Sequence, residues 1–138
     1  MNPALGRGAA RGAAVFCLAF AAFQVALALG APFGKMAWGG ASPPVLPDSL
    51  RAASAGAAVY LVLAAAVMLV RAGDLGARLP RRLFWVFNLV LAVQLALNTL
   101  ANLAAQGDIE RYGMGAASLI GCLLCVAALT AKPRLDAG

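Results

Sequence analysis

LFWVFNLVLAVQLALNTLANLAAQG, residues 83–107, runs for 25 positions without a charged side chain. An α-helix rises about 1.5 Å per residue, so about 20 apolar residues cross a hydrocarbon core of about 30 Å. The stretch is long enough to span a bilayer. A backbone in hydrocarbon must pair its own N–H and C=O groups, and a lone segment does this only as a helix. Three further charge-free runs accompany it at residues 12–34, 52–70 and 112–131, of 23, 19 and 20 positions. The seven prolines lie outside the spans or at their ends, so none breaks a helix in mid-membrane. The expected fold is all-α: an integral membrane four-helix transmembrane bundle forming one domain over residues 1–138, with spans at about 12–31, 52–70, 83–105 and 113–131 and an ordered Gly/Pro-rich outer loop over 32–51.

Composition agrees. The chain has 138 residues, 63% hydrophobic and 12% charged, against about half apolar and a quarter charged in soluble domains. Three cysteines and high hydrophobicity exclude a disulfide-stapled secreted domain and a disordered tail.

Basic loops resist translocation and therefore set orientation. Arg7, Arg11, Arg71, Arg78, Arg81, Arg82, Lys132 and Arg134 fall on one side of the expected bundle, whereas Lys35, Arg51 and Arg111 share the other with Asp48, Asp108 and Glu110. Both termini are thus expected in the cytoplasm. The net charge of +6 then reads as topology and anionic-lipid contact; nucleic-acid binding is not expected, because the arginines are split among separate loops without aromatic interleaving. Trp85 near the inner end, and Trp38 and Tyr112 near the outer, suit interfacial belts. Basic residues followed by an apolar run and Ala26-Leu27-Ala28 also fit a cleavable secretory signal, although 23 residues exceed the usual 7–15-residue apolar region. Cleavage would leave three spans.

Between the first two runs, residues 30–51 hold four of the seven prolines and four of the fifteen glycines. Proline fixes φ and glycine permits positive φ, so a defined, turn-rich path is expected, folded back on the outer mouth as a lid. Asp48-Ser49 is placed to N-cap the second helix. The run GAPFGKMAWGG, then VLPDSLRAAS, then an Asn-rich third span ending at Asp108-Ile-Glu-Arg111, resembles small four-span bacterial integral membrane proteins of uncharacterised function. The resemblance covers most of the chain in outline and about twenty loop residues specifically. It implies the architecture and a bacterial cytoplasmic (inner) membrane, and no activity. Such proteins carry a proline after the Glu-Arg turn, where this chain has Tyr112-Gly113-Met114-Gly115.

Polar side chains within the spans gather toward the loop side. Gln24, Ser54, Asn98, Thr99, Asn102 and Ser118 lie there, with Gln94 and Tyr60 near mid-depth and Asn88 farther in. Gln94, Asn98 and Asn102 are four apart and share one helix face. These groups either hydrogen-bond between helices as packing glue or line an outward-facing polar cleft for a small ligand, with Lys35 and Trp38 of the loop above it. The Tyr60 hydroxyl is expected to meet Gln94 or Gln24. Small residues, Ala52 and Gly56 in span 2 and Gly113, Ala117, Gly121 and Cys125 in span 4, are candidate helix contacts, within the chain or with a second copy or membrane-protein partner.

Cys122 and Cys125 form a CxxC pair like that on the last span of four-span thiol oxidoreductases of the vitamin K epoxide reductase type. Here the pair lies mid-span with no second pair outside, so a buried packing role is preferred to redox catalysis. There is no His, and Asp48, Asp108 and Glu110 are all expected in loops, which leaves no metal site, no cofactor pattern and no membrane-embedded carboxylate of the kind small drug exporters use. Glu110 with Arg111 is expected as a solvated pair. The expected function is a non-enzymatic membrane protein, either an accessory subunit or a small-ligand binder.

Overall fold

The computed structural model describes residues 3–76, 79–105 and 107–129. Arg78, Lys132, Arg134, residue 106 of the second outer link and the last two positions of the expected fourth span lie outside the described residues. Four long helices carry the chain: α1 (Pro3–Ala28), α2 (Asp48–Ala72), α3 (Arg81–Leu103) and α4 (Gly115–Ala128). A 3-10 turn occupies Gly34–Met36, and a π-helical segment, Ile109–Met114, leads into α4. Counting that lead-in, all four are long and apolar enough to cross a membrane, yet between 28% and 33% of each apolar window is buried inside the protein. Leu63, Leu97, Leu100 and Leu123 belong to the outward-facing remainder. Lipid is the solvent that such a surface requires. The fold is an all-α, four-helix membrane bundle.

Helix ends differ from the charge-free runs for local reasons. Arg7 and Arg11, expected before the first span, lie within α1. Proline suits a first turn, where its missing N–H has no partner to lose, and nothing interrupts the Ala-rich sequence after Pro3. Arg11 then forks onto Asp74 of the α2–α3 link, its Nε and Nη2 donating to the two carboxylate oxygens at 2.8 and 2.7 Å. The second helix starts at Asp48 because Pro47 is extended, with φ −64° and ψ 158°. Asp48 is not the N-cap expected of it; it occupies the first turn, where a negative charge suits the helix dipole. One turn on, Arg51 Nε donates to the Ala28 carbonyl at 2.9 Å and so covers the open C-terminus of α1. α2 stops at Gly73, left-handed at φ 83°, with its N–H on the Val70 carbonyl and that of Asp74 on Leu69, a Schellman closure.

Packing is uneven. α1 lies against both α2 and α4, α3 lies against α4, and α2 and α3 barely touch. The helices therefore form a row, α2, α1, α4, α3, bent round so that an open seam remains between its ends. Among the described residues the seam is bridged by the Tyr60 and Phe87 rings, with centroids 6.1 Å apart, and by the Arg71 guanidinium, 4.7 Å above the Phe84 ring. The tight side rests on buried residues that are mostly small, Ala10, Ala14, Cys17 and Ala21 in α1, at three- and four-residue spacing, and Ser54, Ala58, Ala65 and Ala72 with Met68 in α2.

The expected packing stripes are rotated. Gly56 is exposed, with nothing within 4 Å of where its Cβ would stand, because α2 turns the Ser54 and Ala58 face inward instead. In α4 the buried face is Gly115, Ser118, Gly121, Cys125 and Ala128; Ala117 is half-buried and Gly113 exposed. A Cβ on Gly121 would stand 2.6 Å from the Phe16 ring of α1. Phe16 stacks on Phe20 at 4.5 Å, so it can yield only by breaking that stack. Gly121→Ala is expected to cost about 1 kcal/mol of stability by overpacking, read as a lower unfolding midpoint in nonionic detergent, with Gly56→Ala unchanged. Equal midpoints for both variants would contradict this interface.

Candidate functional site

The loop between α1 and α2 is built back onto the bundle. Its neck closes where the Gly34 N–H donates to the Pro44 carbonyl at 2.7 Å, and Ala37 and Leu46 bury against Leu27 of α1. Trp38, Gly39 and Gly40 follow in the left-handed region, with φ of 57°, 92° and 72°. Such a conformation costs a side-chain-bearing residue about 1–2 kcal/mol, so Trp38 must be held there. Two bonds do so. Its indole N–H donates to Ser54 Oγ at 3.1 Å, and the adjacent Gly39 N–H donates to Glu110 Oε1 at 2.9 Å. The loop is thereby clasped to α2 on one side and to the start of α4 on the other. Glycine is required at position 40, since a Cβ there would stand 2.5 Å from Glu110 Oε2.

Beneath this clasp lies a cavity of about 520 Å³, walled by Phe16, Phe20 and Phe23 of α1 and reached by all four helices and the loop. Gln24, Tyr60, Gln94, Asn98, Asn102 and Trp38 all line it. Lys35 does not; it lies exposed on the 3-10 turn. Gln94 and Asn98 are exposed at the edge of the cavity, and Asn102 Nδ2 donates to Ser118 Oγ at 3.3 Å. Asn102 therefore joins α3 to α4 as well as lining the cavity. Asn88, deeper and fully buried, makes a second such joint, its Nδ2 donating to the Cys125 carbonyl at 2.7 Å. The expected bond from Tyr60 to Gln94 or Gln24 is not formed: the Tyr60 hydroxyl and Gln24 Oε1 are both shut off from solvent without a protein hydrogen-bond partner.

Glu110 is the main departure from the sequence reading. Instead of sharing a solvated ion pair with Arg111, it is 2% exposed, lines the cavity, and lies within the apolar span Ile109–Ala128. Neighbouring helical residues point about 100° apart, so Glu110 and Arg111 cannot face one partner together. Arg111 turns to the link after α3, its Nε donating to the Ala105 carbonyl at 3.1 Å, while Glu110 turns inward with Oε2 unpartnered. The expectation that no span holds a carboxylate is thereby corrected. The wide π-helical turn that carries Glu110 is a form often found at functional positions. Ser54 was legible as polar but not as the acceptor of Trp38, because nothing local to either residue records their pairing.

The three thiols lie apart from the cavity. Cys17 and Cys125 are buried, and half-buried Cys122 donates its S–H to the Ala92 carbonyl at 3.4 Å. Among the described residues no group of three or more His, Cys, Asp or Glu is placed to hold a metal ion. No family model, curated protein or solved structure matches the chain. Gly40→Ala is expected to lift the loop off Glu110, seen as faster amide exchange over residues 37–40. Ser54→Ala, which removes the indole acceptor, is expected to cost about 1 kcal/mol. Exchange unchanged in Gly40→Ala would mean that the clasp does not hold the loop.

Proposed function

We propose that this is a non-enzymatic membrane protein that binds a small polar or amphiphilic ligand in the cavity beneath the loop. The observation that carries the reading is that three residues lining one cavity, Gln24, Tyr60 and Glu110, each hold a buried oxygen, Oε1, the hydroxyl and Oε2, without a protein hydrogen-bond partner. Leaving a buried acceptor unmet costs about 1–3 kcal/mol. Interhelical glue would satisfy these groups within the bundle, as it does for Asn102; a ligand that supplies donors satisfies them on binding. The volume falls within the range of about 300–1,000 Å³ typical of ligand sites. The buried thiols, away from the cavity, fit packing better than exchange chemistry.

The proposal includes a setting. The basic residues Arg7, Arg11, Arg71, Arg81 and Arg82 lie at the bundle end opposite the loop, which favours a bacterial inner membrane with that end cytoplasmic and the cavity facing outward. Reporters fused to the two chain ends are expected on the same, cytoplasmic side. Ends on opposite sides would overturn this orientation.

Gln94→Leu combined with Asn98→Leu is expected to leave the protein inserted and folded. The double variant should lose the thermal stabilisation that a panel of hexylamine, hexanol and hexanamide confers on the wild type in nonionic detergent. A panel that stabilises both proteins equally, or neither, would overturn the binding reading.

A further inference from the structure

Resting on that reading, we infer the class of ligand: a single-chain amphiphile with a primary ammonium head, entering from the bilayer through the α2–α3 seam. Charge comes first. Glu110 contributes a carboxyl group to the cavity, and among the described residues no Lys or Arg lines it. The ion pairs among the described residues, Arg11 with Asp74 and Arg51 with Asp48, lie elsewhere, Arg111 is turned to Ala105, and Lys35 is exposed outside the lining. In a chain of net charge +6 the cavity is thus lined by an acidic residue and by no basic one. A carboxyl group in such a lining favours a ligand that brings the positive charge itself.

The head group follows from the acceptors. Gln24 Oε1 and Glu110 Oε2 accept only, and the Tyr60 hydroxyl accepts as readily as it donates. A primary ammonium brings N–H donors to acceptors of this kind, Glu110 Oε2 first among them; a quaternary ammonium brings none. A phosphate-bearing head would add an anion that no lining cation meets.

The tail follows from the seam. A second cavity of about 410 Å³ lies against Val67, Leu83, Val86, Phe87 and Val90, and Tyr60 lines both it and the polar cavity. Because α2 and α3 barely touch, the two cavities lie along one groove, with the Tyr60–Phe87 ring pair at their junction. Leu83 and Asn98 are fifteen residues apart on α3, about 22 Å along its axis, which suits a long alkyl chain. Val86 and Val90 are exposed on the lipid side, so the chain can enter without crossing water.

The test uses the full chain in phosphatidylcholine vesicles with Trp85→Phe, which leaves Trp38, a lining residue, as the one tryptophan reporter. Hexadecylamine, hexadecyltrimethylammonium and hexadecanol are titrated against its emission. Hexadecylamine is expected to act at a mole fraction about tenfold or more below the other two. Glu110→Gln, which keeps an acceptor for the Gly39 N–H, should bring the amine to the level of the alcohol. Val90→Phe, which fills the seam, should weaken hexadecylamine and leave hexylamine unaffected. Equal responses to amine and alcohol, unchanged by Glu110→Gln, would overturn the ammonium assignment; a trimethylammonium probe that matches the amine would overturn the donor argument. Insensitivity to Val90→Phe, or disulfide-linked dimers of Val90→Cys in a cysteine-free chain, would overturn the tail in the seam, the latter by placing a second copy there. In each case stabilisation by the short-chain panel shows separately whether the cavity itself still binds.

Discussion

Hydrocarbon offers a peptide group no hydrogen-bond partner, and that single deficiency organises this molecule. It makes each of the four apolar stretches a helix and requires that helix ends be closed by the chain itself. The closures are specific: Arg51 on the Ala28 carbonyl and the Schellman turn at Gly73. It also removes the aqueous drive for helices to associate, so contact depends on close fit. The alanine faces of α1 and α2, and the glycine at position 121 under Phe16, supply that fit.

The same deficiency raises the stakes for every polar group placed inside. Asn88 and Asn102 meet partners on α4 and join two helices. Gln24 Oε1, the Tyr60 hydroxyl and Glu110 Oε2 do not meet partners, and their residues line one cavity. The loop adds to this: Trp38 is held in an unfavourable backbone region by Ser54, and the Gly39 N–H donates to Glu110, so the cover of the cavity is fixed in part by a residue of its wall, Glu110.

Much of this was legible in the sequence, because hydrophobic run length and proline placement are local properties. Four spans, an ordered Gly/Pro loop and a concentration of polar groups beneath it could be read directly. What could not be read was rotation. Gly56 and Ser54 are two positions apart on α2, and only tertiary packing decides that Ser54 faces in and Gly56 out. Glu110 was misplaced for a related reason. Its neighbours Asp108 and Arg111 suggest a polar turn, but the π-helical backbone there sends adjacent side chains to different sides. The clue was the helical geometry itself, which prevents neighbours from acting as a pair.

The row order α2, α1, α4, α3 bears on how the protein is made. Its first two helices share the most intimate interface and are joined by the loop that buries its own small core around Leu27 and Leu46, so this hairpin is complete when half of the chain has been synthesised. The later hairpin docks through α4 against α1, and nothing comparable draws α3 onto α2. The arrangement suits assembly by the joining of two hairpins along one edge, α1 against α4, and it leaves the opposite edge unsealed.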